Sequence, residues 1–406
     1  LQEQVRNNFI HNILVESVKR KDKAYIAGIF EHPTRHAPDK SLVQLHAECA
    51  LGALKDAGLS ASDVDGFFGG RDIPGSNANW FIDHMNLKLR HIDSTDAGGC
   101  SPLIHVSHAV DAISAGRCNV ALVTLAGRPR SEQMKTGTAP RPCEPERPDA
   151  LWEAAYRPTI STAYAMMMSR HMHEYGTTLD QLAWIRVAAS EHAKHNPNAM
   201  FNKPVTVEDV MNSPLVSSPL RRMDCCVISD GGGAIVLVSP EIAKSLQNPL
   251  VRVIGSGHTM HGQNGGSTSM TTTGASVSGP IAFAEAGVTA KDFKYASIYD
   301  NFTIMVLMQL EDLGFCKKGE GGKFVADGKL ISGIGPLAIN TDGGGLCNNH
   351  PSNRGGITKL IEATRQLRGT AHPAVQVKDC DLALACGPGG FIGTGYAHAT
   401  VVLERL

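Results

Sequence analysis

The run GGCSPLIHVSHAVDAISAGRCNVALVTLAG at 98–127 decides the reading of the fold. Apolar residues recur at helical spacing from Ser101 to Ala115, Gly116 ends the pattern, and Val120 to Leu125 then runs apolar without a break. A helix feeding a wholly apolar strand is β–α–β grammar: the strand is covered on both faces, so helices must flank the sheet. Pro102 suits a helix's first turn, so Gly98-Gly99-Cys100 reads as a tight turn that delivers a cysteine to a helix N-terminus, where the dipole favours a thiolate.

Working outward, Lys23 to Phe30 reads as a first strand and Leu42 to Ala57 as an amphipathic helix stopped by Gly58. Short strands are expected at Val64 to Phe68 and His91 to Thr95. From Gly127 to about Leu220 the pattern changes: proline is frequent, Met166, Met167 and Met168 sit together, and loops alternate with helices without strand runs. This segment is expected to be an insertion over the main body, its methionines packing a helix or lining a ligand surface. Strand signals return at 233–239 and 251–255, then again between 295 and 403. The order strand, turn, helix, strand occurs in both halves, as an old duplication would leave it. The expected organisation is a polar leader or expression remnant at 1–22, an N-terminal half at 23–126 and 221–245, a loop domain at 127–220, and a C-terminal half at 246–406.

Composition removes several classes. Across 406 residues, 42 glycines and 5% aromatic residues point to many tight turns around an Ala/Val/Ile core. A net charge of −1 argues against a nucleic-acid surface. No apolar run reaches membrane-spanning length, and the start lacks a signal-peptide pattern, so a cytoplasmic protein is expected. Ten cysteines without a C-x-x-C pair predict reduced thiols and no zinc site or other bound metal. His105 and His108 have a spacing that permits a metal pair but suits helix packing better. Arg221-Arg222 and Arg128-Pro129-Arg130 are candidates for phosphate contacts or for solvated surface. No G-x-G-x-x-G follows a strand, so nicotinamide binding has no support.

The last third carries a histidine before proline in Asn348-Asn349-His350-Pro351 and a cysteine opening a Gly-rich loop in Ala385-Cys386-Gly387-Pro388-Gly389-Gly390. With Cys100, these supply two thiols and a base, the groups that acyl transfer between thiols needs. Further landmarks are Asp96-Ala97-Gly98-Gly99, Glu174-Tyr175-Gly176-Thr177-Thr178, Asp230-Gly231-Gly232-Gly233-Ala234, Tyr299-Asp300-Asn301-Phe302, Leu313-Gly314-Phe315, Asn340-Thr341-Asp342-Gly343-Gly344-Gly345-Leu346 and Gln366-Leu367-Arg368-Gly369. In this order, from about Lys23 to Leu406, they resemble the thiolase superfamily, in its branch of sterol-carrier-protein-x and lipid-transfer-protein thiolases.

That resemblance implies a duplicated α/β protein with the five-layer αβαβα thiolase fold, usually a homodimer. It implies an acyl-CoA substrate with coenzyme A as co-substrate and no tightly bound cofactor. A small zinc-ribbon/OB-fold partner subunit often accompanies such chains. By the same resemblance Cys100 is the nucleophile that forms a thioester, although a gap-free count back from Gly116 places the family's nucleophile on Gly99, so the helix would have to start one residue late. His350 is the base that activates the thiol, and Cys386 the acid/base at the α-carbon. Gly389, Asn301 and Asn348 support the oxyanion and the loops, and Cys347 is structural. The family's glycine two residues after the His-Pro proline is Asn353 here.

Tyr299 departs from the thiolase Asn-Glu-Ala-Phe motif. Some members of the branch place tyrosine there and act as retro-aldolases; those also carry a tyrosine two residues before the histidine, where this chain has Asn348, and generally lack the cysteine pair. Three readings therefore stand. The first is a thiolase-like acyltransferase that cleaves or forms a bulky, branched or aromatic β-ketoacyl-CoA through a cysteine thioester, as in lipid degradation. The second is a lyase that uses Tyr299 and His350 on a β-hydroxyacyl-CoA, and the third a non-catalytic acyl-CoA-binding scaffold.

Overall fold

A computed structural model of the chain describes residues 24–70, 78–136, 154–156, 158–261, 269–351, 355–391 and 395–406. The leader assigned to 1–22, Cys143 and Asn353 lie outside the described residues. The strands are β1 (Tyr25–Glu31), β2 (Gly66–Gly69), β3 (His91–Ser94), β4 (Val120–Gly127), β5 (Leu215–Ser217), β6 (Leu220–Arg221), β7 (Gly231–Val238), β8 (Val251–His261), β9 (Tyr295–Ile298), β10 (Ala338–Ile339), β11 (Leu382–Phe391) and β12 (Gly395–Arg405). Ten of them join in the order β10-β9-β11-β12-β8-β1-β7-β4-β2-β3, while β5 and β6 form a separate ribbon.

The order reads the same outward from its centre. On one side β1 and β7 are antiparallel, β7 and β4 antiparallel, and β4, β2 and β3 parallel. On the other, β8 and β12 are antiparallel, β12 and β11 antiparallel, and β11, β9 and β10 parallel. Within the sheet, the halves are joined where Tyr25 and Ile26 pair with Arg252 and Val251. The repeated strand order is the structural counterpart of the duplication read from the sequence.

Two helices lie between the halves. Ser101–Ser114 buries eleven of its fourteen residues, and Gly356–Arg368 eleven of thirteen, which a helix covered on one face could not do. Each touches strands of both halves, and they touch each other. Leu42–Ala57 packs on the outside of β1, β7 and β4, and Ala275–Ala286 on the outside of β8 and β12. The result is the expected helix–sheet–helix–sheet–helix layering. The outer contacts are matched: a Cβ on Gly28 of β1 would lie 2.1 Å from the Ala53 carbonyl oxygen, and one on Gly255 of β8 2.3 Å from that of Ala282. Such close approach of helix to strand explains a core of small residues and few rings.

The excursion between β4 and β7 carries the helices Ile160–Tyr175 and Leu179–Ala193. Thr178 and Gln181 form a reciprocal cap at the start of the second. The expectation of no strands here needs correction, because β5 and β6 pair within it around a short turn. Met167 and Met168 are fully buried in one cluster with Leu182, Ile304 and Met308, whereas Met166 is exposed. Packing, rather than a ligand surface, therefore accounts for the buried pair.

One ion pair ties the middle layer to the loops above it. Lys359, on the central helix, and Asp300, just past β9, are both 1% exposed and lie 2.8 Å apart. Asp300 also accepts the backbone N–H groups of Gly345 at 2.8 Å and Leu346 at 3.1 Å. A Cβ on Gly344 would sit 2.1 Å from this carboxylate, and φ is +62° there and +97° at Gly343. The triple glycine is thus a backbone cradle around a buried anion. Burial opposes the charge on Lys359, but Asp300, Asp342 and Glu31 outweigh it and raise its pKa. Lys359→Met leaves the carboxylate uncompensated and should cost about 3–5 kcal/mol in urea unfolding, with much of the loss regained when Asp300→Asn is added; equal stability of Lys359→Met and the parent chain would show that the pair is not structural.

Candidate active site

The His350 loop is held from below and from both sides. Asn348 and Asn349, which precede His350, point away from any open space. Asn348 donates to Asp342 at 2.9 Å and Glu31 at 3.1 Å and accepts from Arg35 at 2.6 Å. Asn349 donates to Glu31 and accepts from the Ser229 hydroxyl at 2.8 Å. The same hydroxyl accepts the His350 N–H at 2.8 Å. Asn348 therefore anchors the loop and does not reach an oxyanion, which narrows the role expected for it.

Presented this way, His350 meets Tyr299. The phenol oxygen lies 2.9 Å from His350 Nε2, with the rings edge to face. Burial lowers the His350 pKa to about 4, while Asp300 and Lys359 pull it in opposite directions. A ring that is neutral at physiological pH accepts the phenol proton at Nε2 in its Nδ1–H tautomer. Tyr299 sits at the end of β9, where its backbone N–H donates to the Cys386 carbonyl at 2.9 Å.

Tyr299 and His350 line a cavity of about 120 Å³, together with Gly99, Tyr164, Asn301, Pro388, Gly389 and Gly390. Cys100 and Cys386 do not line it. Cys100 is fully buried; its thiol donates to the Ala97 carbonyl at 3.4 Å, and burial pushes its pKa up to about 12. Its sulfur lies behind Gly389, 2.8 Å from where a Cβ on that glycine would be. The late helix start expected to bring Cys100 into place does not do so. A turn of 3₁₀ helix over Gly98–Cys100 precedes the α-helix, and the residue that faces the site is Gly99. A Cβ at Gly99 would be 2.9 Å from the Tyr299 hydroxyl oxygen. The phenol thus fills the space that a side chain at the family's nucleophile position would need.

Cys386 is buried on β11, where its thiol donates to Gln309 Oε1 at 3.6 Å, and burial raises its pKa. Gln309 in turn donates to the Tyr299 and Met305 carbonyls and meets His398 at 3.1 Å. This thiol belongs to a polar network beneath the site. Gly389 is where expected, at the cavity wall, and must be glycine because a Cβ would fall 1.7 Å from the Ala97 carbonyl oxygen. Cys347 is buried in the core, in line with a structural role.

The cavity shares Lys135, Cys226 and Ile228 with a wider basin of about 840 Å³. Every charged residue lining that basin is basic: Arg130, Lys135, Arg186, Lys203 and Arg222. One member of each arginine pair singled out in the sequence is therefore at the basin. Arg221 is used instead to hold the Ser213 carbonyl at 2.9 Å, and Arg186 holds the Leu346 carbonyl. His105 bonds the Thr95 carbonyl and His108 the Asp93 carboxylate, both at 2.7 Å, and no metal cluster occurs among the described residues.

Sequence reasoning missed Tyr164, Cys226, Ser229 and Lys359. Lys359 could have been found, since a lysine on the apolar stripe of the Gly356–Arg368 helix demands a partner. Tyr164 left no signal, because a tyrosine in a buried helix face reads as packing.

Comparison with known proteins agrees with this architecture. Residues 256–405 match the family described as thiolase C-terminal domain-like. The chain is 33% identical to an acetyl-CoA acetyltransferase of Methanothermobacter thermautotrophicus, covering 89% of this chain and 94% of that protein. It is 34% identical to a steroid side-chain-cleaving aldolase of Thermomonospora curvata, covering 86% and 91%. Among solved structures, an Ltp2–ChsH2(DUF35) aldolase superposes with a TM-score of 0.82 at 30% identity, over 95% of this chain and 98% of that one. With a repeated five-strand half, two buried central helices and relatives of this extent, the chain belongs to the thiolase superfamily, in its sterol-carrier-protein and lipid-transfer branch.

Proposed function

We propose that the chain acts on a bulky, branched or aromatic acyl-CoA and breaks a carbon–carbon bond in it by retro-aldol cleavage. The observation that carries this reading is the Tyr299–His350 pair in a cavity that no expected thiol lines. The β-hydroxyl of a β-hydroxyacyl-CoA gives its proton to Tyr299 as Tyr299 passes its own to neutral His350. The new carbonyl forms, the Cα–Cβ bond breaks, and its electron pair enters the thioester as an enolate. The proton then returns through the pair to Cα, so an acyl-CoA and a ketone or aldehyde leave with no co-substrate consumed. The similarity to a steroid side-chain-cleaving aldolase supports this reading.

The basic basin suits the phosphates of coenzyme A, with the thioester end in the small cavity. Coenzyme A is then part of the substrate rather than a resident cofactor, and no tightly bound cofactor is part of this reading. The proposed assembly adds a small second subunit, by analogy with the Ltp2–ChsH2(DUF35) aldolase, and pairs two copies of the chain. The nine described cysteines are free thiols, in keeping with a cytoplasmic enzyme of lipid degradation. In this organisation residues 127–220 form the loop domain between halves 23–126 with 221–245 and 246–406.

A second reading, acyl transfer through a Cys100 thioester with Cys386 as acid/base, is favoured by the similarity to an acetyl-CoA acetyltransferase. One comparison separates the two. With a panel of β-hydroxyacyl-CoA thioesters, and with a DUF35-type subunit present, cleavage should proceed without free coenzyme A. Tyr299→Phe should lower kcat by about 10²–10⁴-fold, whereas Cys100→Ala should leave it within about twofold. An acyl adduct on Cys100 in intact-protein mass spectrometry, with loss of activity in Cys100→Ala, would establish acyl transfer instead. Binding of acyl-CoA with turnover of neither substrate class would leave the scaffold reading.

Two further outcomes follow from the site's electrostatics. Because burial holds the His350 pKa near 4, the base is unprotonated above that pH and is lost below it. The acid limb of kcat/KM should therefore fall near pH 4, and a limb near 6.5 would contradict a desolvated base. Lys203→Ala and Arg222→Ala should each raise KM for the CoA thioester by roughly tenfold with kcat little changed, measured against a pantetheine thioester that lacks the nucleotide phosphates.

A further inference from the structure

Tyr164 is a cavity-lining phenol that the cleavage step above leaves unused. It lies on the helix Ile160–Tyr175 in the excursion between β4 and β7 and is 2% exposed. Its ring stacks on Phe302, with centroids 4.1 Å apart and planes 24° from parallel, so the phenol cannot swing. Among the described residues its hydrogen bond is to Asn301, whose Nδ2 lies 2.9 Å from the Tyr164 oxygen. The sense of that bond is determined. Asn301 Oδ1 accepts the Phe302 backbone N–H at 3.1 Å, which turns the amide nitrogen toward Tyr164. Tyr164 is therefore the acceptor from Asn301, and its own O–H remains to be donated. Tyr164 borders the space that Tyr299, His350 and Gly389 also line.

We propose that Tyr164 donates its hydroxyl hydrogen bond to the carbonyl oxygen of the bound thioester, with Asn301 as its positioning residue. The inference rests on the acyl-CoA reading above and deepens it. When the Cα–Cβ bond breaks, its electron pair places negative charge on that oxygen; Tyr164 stabilises the charge and gives up no proton. The carbonyl is restored when the proton from the β-hydroxyl reaches Cα. Burial pushes the Tyr164 phenol up to about 12, so it stays a donor throughout the working range. The chain lacks a hydroxyl at Asn348, where retro-aldolases of this branch are expected to carry one, and that asparagine is turned into the Glu31–Asp342–Arg35 cluster. Tyr164 supplies a second phenol from a different element, on the excursion rather than on the histidine loop.

The test reads the carbonyl itself. Carbonyl-¹³C acetyl-CoA bound to the parent chain should show a C=O stretch shifted to lower frequency than in solution. Tyr164→Phe keeps the ring stack and should abolish the shift, while Tyr299→Phe should retain it. In turnover, Tyr164→Phe should lower kcat by about 10²–10³-fold with KM changed less than about threefold, as loss of one oxyanion donor does. Asn301→Ala should cost about tenfold in kcat, because the phenol survives without the contact that orients it. A carbonyl band that is the same in the parent chain and Tyr164→Phe, or unchanged kcat in that variant, overturns the inference. If no β-hydroxyacyl-CoA is cleaved and the band still depends on Tyr164, the donor role stands and the retro-aldol reading falls.

Discussion

The buried Asp300–Lys359 pair is the contact on which the site depends. Asp300 follows Tyr299 just past the end of β9, Lys359 rises from the central helix, and the Gly343–Gly345 backbone wraps the carboxylate. One anion thus joins three segments that are far apart in sequence and holds the loop that presents His350. Taking two charges out of water is costly unless each is fully satisfied. Here the ammonium and two backbone N–H groups do so, and the glycines exist because no side chain can share the space.

A second constraint works from the other side. The turn at Gly98-Gly99 and the strand end at Pro388–Gly390 pack backbone against backbone, closer than any Cβ would allow. Cys100 is left behind this contact with a raised pKa, and the space before it is taken by the Tyr299 phenol. On the retro-aldol reading proposed above, glycine at the turn and the Tyr299 phenol in the space before it place the reactive centre on oxygen rather than on sulfur. Desolvation then acts in opposite senses on the neighbours: it suppresses the thiolate at Cys100 and keeps His350 unprotonated as a base.

Much of this was legible in one dimension. The apolar run at Val120–Leu125, the helix stopped by Gly58 and the repeated strand–turn–helix order report burial on two faces, which periodicity records directly. His350 could be singled out because a Gly run, two asparagines and a proline leave few other uses for the loop. The direction of Asn348 could not be read, since alternate residues in an irregular loop face opposite ways and only the Glu31–Asp342–Arg35 cluster decides which. The short β5–β6 ribbon was invisible for a related reason: two strands of two or three residues carry too little pattern to register.

By itself, then, the sequence pointed to a buried sheet flanked by helices, to a repeated order of elements and to the loop that presents His350, because each is written in local periodicity or in a compact motif. Only the tertiary structure decided which side chain faces the substrate. A one-residue difference between Gly99 and Cys100 turns a side chain through roughly 120° in a 3₁₀ turn, so a register that looks near enough in a motif puts sulfur behind a wall and phenol in front of it. The same holds for Tyr164, which reaches the site from an excursion some hundred and thirty residues away from Tyr299 in the chain. Its role depends on a hydrogen bond whose sense is set by one backbone amide, and no pattern of residues along the chain encodes that.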